Sequence, residues 1–221
     1  MEKPSVVIPY KTSRSQELIY TLRGLKNIPH GEVFIIGDDP DLQNVTHIRY
    51  YQSSDVAKNT HAILNIACNT PEITDDFIWI ADDMYILEKL NKLPVLHRGT
   101  YDEVIASYGR KTNYYIYRMQ QTNDYLKSLD IENPLCYELH VPFMINKKKW
   151  LEINPPVEYN KLSVYGNLAN IGGIKSKDVK VRTKDWIPTG AFASSHESTF
   201  NRNQIGKIIK EKFTEKSIYE K

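Results

Sequence analysis

The segment DDFIWIADDMYIL, residues 75–87, decides the fold of this chain. Its apolar residues 77–80 end one residue before Asp82 and Asp83, and a second apolar run follows at 85–87. A short apolar run bounded by polar residues is typical of a fully buried strand. Because open α/β sheets bind ligands outside the carboxyl ends of their strands, the two carboxylates are predicted to face a ligand.

The chemistry of this acidic pair allows two interpretations. Adjacent carboxylates repel each other and are costly to bury without a cation, a basic side chain or water. A divalent metal that bridges substrate phosphates meets that need, since Mg²⁺ is usually held by one or two carboxylates plus phosphate oxygens. The alternative is a solvated strand-to-turn junction, because Asp is common in turns. Asp75 and Asp76 lie about 20 Å away at the other end of the strand, at roughly 3.3 Å per residue, and are interpreted as a solvated turn.

Size and composition limit the class of protein. A chain of 221 residues suits one α/β domain or at most two very small ones, and 41% hydrophobic residues suffice for a sizeable core. The net charge of +2 is too small to imply nucleic-acid or membrane binding by itself. Cys68 and Cys136 lie too far apart for a C-x-x-C zinc site. No apolar segment has the length of a signal peptide core or a membrane span, so we expect a cytoplasmic protein.

Strands and helices alternate through the first half of the sequence. Ser13 and Gln16 have the spacing of a capping box, which predicts the start of the first helix. The alternation predicts βαβ units in an α/β, Rossmann-like domain, with a mostly parallel central sheet flanked by helices. The predicted strands are 5–8, 32–36, 46–51 and 77–80, and a further predicted helix is 57–68.

The second half is less regular. Residues 113–129 are predicted as a helix, 135–146 as a strand and 147–153 as a short helix. Residues 154–190 are rich in Pro, Gly, Asn and Lys and are predicted as a loop-rich region, and a basic amphipathic helix is expected at 204–213.

The order of these motifs resembles nucleotide-sugar glycosyltransferases of the GT-A fold, in which an acidic pair at a strand end is called the DxD motif. A more local similarity is to the Stealth family of capsular-polysaccharide phosphotransferases. That family shows an ELRYSLRSL helix, a YIVTD strand, an N-x-x-A-I-E helix and an F-I-Y-L-N-D-D-M strand. The similar segments here are ELIYTLRGL (17–25), VFIIGDD (33–39), NTHAIL (59–64) and FIWIADDMYIL (77–87).

Two further segments refine the resemblance. ELHVPF, residues 138–143, is similar to the H-x-P element found later in Stealth chains. The W-V-D-G segment that opens Stealth proteins is absent, and residues 6–11 instead resemble the V-x-I-P-x start of ordinary glycosyltransferases. The chain is also shorter than typical Stealth members. These departures favour sugar transfer over sugar-phosphate transfer.

The resemblance implies a single GT-A-like domain over residues 1–221. Residues 1–90 would bind the nucleotide sugar, and residues 91–221 would bind the acceptor, with the loop-rich region and the C-terminal helix in that half. A pocket for the nucleotide would be formed at two strand ends. The implied contacts there are Pro9, Tyr10 and Lys11, together with Asp38 or Asp39 for the base or ribose. Simple loop exposure and a Gly-Asp-Asp-Pro turn are the alternatives.

The resemblance also implies which residues would contact the diphosphate and the metal. Lys58 and Asn59 open the helix before the acidic strand, and Lys58 would offset phosphate charge unless it is an ordinary solvated residue. Asp82 and Asp83 would hold Mn²⁺ or Mg²⁺ against the donor diphosphate, which gives Asp83 a catalytic role. His196 would be a third metal ligand, and a helix N-cap region is its alternative interpretation.

Glu138 and His140 are the candidates for a catalytic base or for acceptor binding, if the reaction inverts the anomeric centre. They lie two residues apart on a predicted strand, so their side chains are expected on one face. A base for an acceptor hydroxyl is usually Glu, Asp or His within hydrogen-bond reach. A polar strand face in water is the alternative.

Together these features predict a metal-dependent glycosyltransferase that uses a nucleotide-diphosphate sugar. The acceptor would be a hydroxyl of a polysaccharide, a protein or a hydroxylated nucleobase in DNA, and no membrane span is expected. One alternative is a Stealth-like sugar-1-phosphate transferase. Another is a non-catalytic nucleotide- or nucleic-acid-binding module, for which the basic residues Lys207, Lys210, Lys212 and Lys216 give support.

Overall fold

The computed structural model describes residues 2–13, 15–111, 113–182 and 189–221. The chain divides into two compact units. Unit 1 comprises residues 1–93, 140–147 and 179–221, and unit 2 comprises residues 94–139 and 148–178. Part of the sequence after residue 90 therefore belongs to the same unit as the first half.

The secondary structure alternates as the sequence predicts in the first half. The strands are β1 (Ser5–Tyr10), β2 (Val33–Gly37), β3 (Thr46–Arg49), β4 (Asp76–Trp79), β5 (Met84–Ile86), β6 (Leu96–His97), β7 (Phe143–Asn146), β8 (Ile174–Lys175) and β9 (Phe192–Ser194). The helices are α1 (Glu17–Gly24), α2 (Val56–Asn69), α3 (Tyr101–Ser107), α4 (Tyr114–Lys127), α5 (Lys147–Ile153), α6 (Lys161–Leu168), α7 (Glu197–Arg202) and α8 (Gln204–Lys212), and a 3-10 turn (Leu25–Asn27) follows α1. Within the described ranges, no helix is long and apolar enough to cross a membrane.

A five-stranded sheet forms the centre of unit 1. Its order is β3-β2-β1-β4-β7, in which β1, β2, β3 and β4 are parallel and β7 runs antiparallel to β4. The apolar runs of β1, β2 and β4 are buried, as expected for parallel strands covered on both faces. The prediction of an α/β fold with a mostly parallel central sheet flanked by helices is confirmed.

A second, two-stranded sheet joins the end of the chain to the acidic segment. Strand β9 pairs antiparallel with β5, with Met84 opposite Ser194 and Ile86 opposite Phe192. Behind this sheet, Tyr85 packs with apolar side chains from α7, α8 and the residues after them, including Phe200, Ile209 and Phe213. This packing holds β9 against the residues that directly follow Asp83.

Unit 2 has its own apolar cluster. Helices α3, α4 and α6 contribute Tyr101, Val104, Met119, Leu126 and Val164 to it. A capping box at Thr100 and Glu103 fixes the first turn of α3. The short parallel pair of β6 and β8 completes this unit.

Two predictions of local structure are wrong. Helix α1 begins at Glu17 without the predicted capping box, because the Ser13 hydroxyl accepts a hydrogen bond from the Ser15 amide instead. The predicted strand 135–146 is a strand only from Phe143, since earlier amides such as that of Tyr137 donate to side chains rather than to a neighbouring strand. The region predicted as loop-rich, 154–190, is mostly loop in its described residues, and it also contains α6, whose Ser, Gly and Asn content conceals its buried side.

Candidate functional site

Three polar side chains meet at the carboxyl edge of the central sheet. Tyr10 ends β1, Asp38 follows β2, and Asp82 follows β4. The pKa of Tyr10 is raised, first by burial and then by the negative charges of Asp82 and Asp38. Strand β1 lies between β2 and β4, so this edge is the point where the strand order changes direction. Open α/β sheets bind ligands at such a point.

The end of β2 is tied closely to the end of β1. The Asp38 amide donates to the Tyr10 carbonyl at 3.0 Å, and the Asp38 carboxylate accepts from the Thr12 amide at 2.8 Å. Gly37 has φ 143°, and a Cβ there would lie 1.9 Å from the Tyr10 carbonyl oxygen. Only glycine therefore fits this crossing point. Asp39 is exposed and accepts from the amide of the second residue after it, so of the two aspartates Asp38 is the one that faces the β1 end.

Glu17, Asp82 and Asp83 form what we call the carboxylate cluster. Burial, followed by the charges of Asp83 and Glu17, raises the pKa of Asp82 to about 7. Burial is also the main reason that the pKa of Glu17 is raised, since this side chain is almost fully enclosed. Burial and mutual repulsion therefore both disfavour the charged forms of Asp82 and Glu17.

Asp83 is paired with a lysine from the far end of the chain. The Lys180 ammonium lies 2.5 Å from the Asp83 carboxylate, and its side chain is only 4% exposed. The Ser194 hydroxyl donates to the other carboxylate oxygen at 3.4 Å. A basic side chain thus provides part of the compensation that the sequence assigned to a metal.

A buried hydroxyl network surrounds Glu17. The Ser195 hydroxyl contacts the Glu17 carboxylate and lies 2.8 Å from the Tyr85 hydroxyl. The Ser195 amide donates to the Asp83 carbonyl at 3.1 Å, and the Thr21 hydroxyl donates to the Asp82 carbonyl at 2.7 Å. Helix α1 and the residue after β9 therefore hold the backbone of the acidic pair from both sides.

Four residues of this site were not predicted as site residues. Glu17 was quoted only as the first residue of a helix, where an acidic side chain is common. Tyr85 was part of an apolar run, and Ser195 precedes His196 in a stretch of small residues. Lys180 lies 97 residues from Asp83, in a stretch without periodicity. A sequence signal was available only for Glu17, since an acidic residue that opens an otherwise apolar helix face lies near the core.

The other residues predicted to bind the nucleotide are Pro9, Lys11, Lys58 and Asn59. Pro9 is half-buried within β1, and Lys11 is exposed just beyond it. Lys58 is exposed and pairs with Asp55 at 3.5 Å. Asn59 is buried, and its side-chain amide bonds to the backbone of Ser53 in both directions, which fixes the loop before α2.

His196 lies beside the carboxylate cluster, at the N-cap of α7. Its amide donates to the Thr199 hydroxyl at 2.8 Å. Its pKa is lowered by partial desolvation and then by the positive charge of Lys180, whereas Asp83 and His140 act on it more weakly. The histidine is therefore near Asp83, as its predicted role requires, and its backbone also has the capping role considered as the alternative.

The predicted shared strand face of Glu138 and His140 is wrong, because neither residue lies in a strand. Glu138 belongs to unit 2, where its carboxylate accepts from the Ser163 hydroxyl at 3.1 Å. His140 belongs to unit 1 and is close enough to His196 to affect its pKa. Of the two, His140 is thus grouped with the carboxylate cluster.

The carboxylate oxygens of the cluster are of the type that binds a hard divalent cation, but the described side chains do not provide a complete set of metal ligands. Carboxylate oxygens are the ligands that Mg²⁺ and Mn²⁺ prefer, and burial, followed by the charges of Asp83 and Glu17, raises the pKa of Asp82. Among the described residues, however, no group of three or more His, Cys, Asp or Glu side chains is arranged to hold a metal ion. Substrate oxygens or water would have to complete the coordination.

Comparison with known proteins gives no family for this chain. No protein-family model matches it, and no curated protein sequence matches it significantly. Its function is therefore inferred from its residues and their geometry.

Proposed function

We propose that this protein is a glycosyltransferase with a GT-A-like nucleotide-sugar site at the carboxyl edge of its central sheet. The observation that carries the proposal is the position of the carboxylate cluster, directly beside the point where the strand order changes between β1 and β4. The order β3-β2-β1-β4 is also the arrangement in which nucleotide-binding sheets hold their ligand at this edge.

The nucleoside would lie over the ends of β1 and β2. Tyr10 supplies a half-buried ring with a hydroxyl there, and the Asp38 carboxylate can accept hydrogen bonds from ribose hydroxyls. Pro9 and Lys11 flank Tyr10 on the same segment. In this proposal Asn59 acts indirectly, since it holds the loop that follows β3 through Ser53.

The diphosphate would lie at the carboxylate cluster. Asp82 and Asp83 would hold Mg²⁺ or Mn²⁺, with His196 as a further ligand. When bound, the metal would supply Lewis-acid stabilisation of the charge on the departing nucleotide. Lys180 has a separate role, because it keeps Asp83 in place and offsets part of the negative charge of the cluster.

The proposed reaction transfers the sugar alone. The bond between the anomeric carbon and the β-phosphate oxygen breaks, and the nucleoside diphosphate leaves with the bonding electrons. An acceptor hydroxyl oxygen bonds to the anomeric carbon, and its proton passes to a base. His140 is the proposed base because of its position near His196 in unit 1. The acceptor would be a polysaccharide, a protein or a hydroxylated nucleobase in DNA.

Product analysis tests this function. UDP-, GDP-, CDP- and TDP-sugars are incubated with the protein and Mn²⁺ or Mg²⁺, with candidate acceptors or with water alone, and released nucleotides are separated by chromatography. We expect a nucleoside diphosphate from one donor class, and at least about a hundredfold slower release by Asp82→Asn but not by Asp75→Asn. Release of the monophosphate would instead identify sugar-phosphate transfer. The absence of turnover with every donor would contradict the proposal.

A further inference from the structure

Unit 2 contains a cleft that has no role in the proposed function. Its volume is about 580 Å³, which is within the range of pockets that hold small ligands. Arg98 and Lys177 contribute positive charge to its lining, and Ser107 and Ser176 contribute hydroxyls. All of these residues belong to unit 2.

Arg98 is the central cation of this cleft. It is half-buried, and its guanidinium donates to the hydroxyls of Tyr115 and Tyr108, each at 3.2 Å. The guanidinium also lies 5.6 Å from the centre of the Tyr108 ring. Two phenols thus orient the arginine while leaving most of its N–H donors unused. Among the described residues, none forms an ion pair with Arg98.

The acidic residues of the lining do not cancel this charge. The Glu103 carboxylate is paired with Lys175 at 2.9 Å and also accepts from the Thr100 amide. Asp178 is the other acidic residue of the lining. The lining carries the three cationic side chains of Arg98, Lys175 and Lys177 against two carboxylates, so its net charge is positive and the cleft favours an anion.

The hydroxyls of the cleft favour a sugar as the carrier of that anion. The Ser107 hydroxyl donates to the Val104 carbonyl at 2.6 Å, which leaves its oxygen free to accept a hydrogen bond. We propose that the cleft binds an anionic saccharide, whose phosphate or carboxylate group pairs with Arg98 while Ser107 and Ser176 contact sugar hydroxyls. This inference does not depend on glycosyl transfer at the carboxylate cluster.

Calorimetry on the whole protein tests the inference. The probes are glucose 6-phosphate, glucuronate, neutral glucose and inorganic phosphate. We expect one or both anionic sugars to bind, and Arg98→Met to weaken that binding by at least about tenfold, because a charge-assisted hydrogen bond is lost. Arg49→Met is the matched control, since Arg49 packs over Tyr51 at 4.9 Å in unit 1, and it should bind like the wild type. Asp82→Asn should also retain binding, which separates this cleft from the donor site.

Three results would overturn the proposal. The first is binding of neutral glucose as tight as that of the anionic sugars, the second is binding of inorganic phosphate as tight as that of glucose 6-phosphate, and the third is normal binding of both anionic sugars by Arg98→Met. Loss of binding in Arg49→Met or Asp82→Asn would likewise contradict the placement of the binding site in unit 2. If circular dichroism shows that Arg98→Met is unfolded, Arg98→Lys replaces it, and the loss of the planar fork should still weaken binding several-fold.

Discussion

The two ends of strand β4 carry the same dipeptide in opposite surroundings. At the amino end, Asp75 and Asp76 are exposed, and Asp76 accepts one hydrogen bond from Asn146 at 2.9 Å. At the carboxyl end, Asp82 and Asp83 are half-buried beside a third carboxylate and an enclosed lysine. The same two residue types therefore differ in burial and in charged partners according to the sheet edge where they lie. The residue types alone do not distinguish the two ends.

The largest expected difference between the two ends comes from their polar partners. Lys180→Met should lower the free energy of unfolding by about 3 kcal/mol, because it removes the enclosed cation that pairs with the half-buried Asp83 carboxylate. Asn146→Ala at the exposed end should cost less than about 1 kcal/mol. Urea denaturation of both variants at pH 7.5 measures the difference. Equal losses in the free energy of unfolding would contradict the proposed difference between the two ends of β4.

The next difference is in pH dependence. Because the pKa of Asp82 is raised to about 7, the folded protein keeps this proton where the unfolded chain has lost it. Without metal, the free energy of unfolding therefore falls as the pH rises from about 4 to about 7. Asp82→Asn should remove much of this fall and stabilise the metal-free protein at pH 8 by on the order of 2 kcal/mol.

Urea denaturation in EDTA across this pH range measures the Asp82 effect, and Asp75→Asn is the control at the other end of the strand. Glu17 contributes with the same sign, since its pKa is also raised, so part of the slope should remain in Asp82→Asn. A variant whose stability at pH 8 is lower than that of the wild type would show that Asp82 is not crowded by negative charge.

A smaller effect is expected from the hydroxyl network. Ser195→Ala removes the hydroxyl between Glu17 and Tyr85 and should cost about 1–2 kcal/mol, because buried polar groups lose a partner. Ser198→Ala, three residues further along and exposed, is the control. Thermal denaturation measures both variants. A neutral Ser195→Ala would mean that this network does not support the cluster.

The smallest effect should come from the exposed end itself. Asp76→Ala removes one exposed hydrogen bond with Asn146 and should change the free energy of unfolding by less than about 0.5 kcal/mol. Chemical denaturation checks this value. A loss above about 2 kcal/mol would show that the amino end is also an organised charge site.

The central sheet was predictable because its strands are short apolar runs such as those before Asp38 and Asp82. Their burial follows from composition, and parallel pairing follows from the helices between them. The strand predicted before Phe143 failed because its backbone amides bond to side chains such as Ser163, which local sequence does not reveal. Helix α6 was hidden by small polar residues that face its neighbours.

The candidate site was predictable only where it follows a strand. Asp82, Asp38 and Tyr10 each end a buried run, so their common edge could be inferred. Lys180 and Ser195 approach that edge through the pairing of β9 with β5. The residues next to Lys180 and Ser195 in the sequence do not indicate that these two side chains contact the carboxylate cluster.

Donor binding by Asp82→Asn tests the central claim most directly. Melting temperatures are measured with UDP-, GDP-, CDP- and TDP-sugars, with and without Mn²⁺, for the wild type, Asp82→Asn and Asp75→Asn. At a donor concentration of about a hundred times Kd, binding should stabilise the wild type and Asp75→Asn by about 2.7 kcal/mol, or several degrees, and only with metal. Asp82→Asn should show no such shift. An unchanged shift in Asp82→Asn, or no shift with any donor in the wild type, would contradict the account.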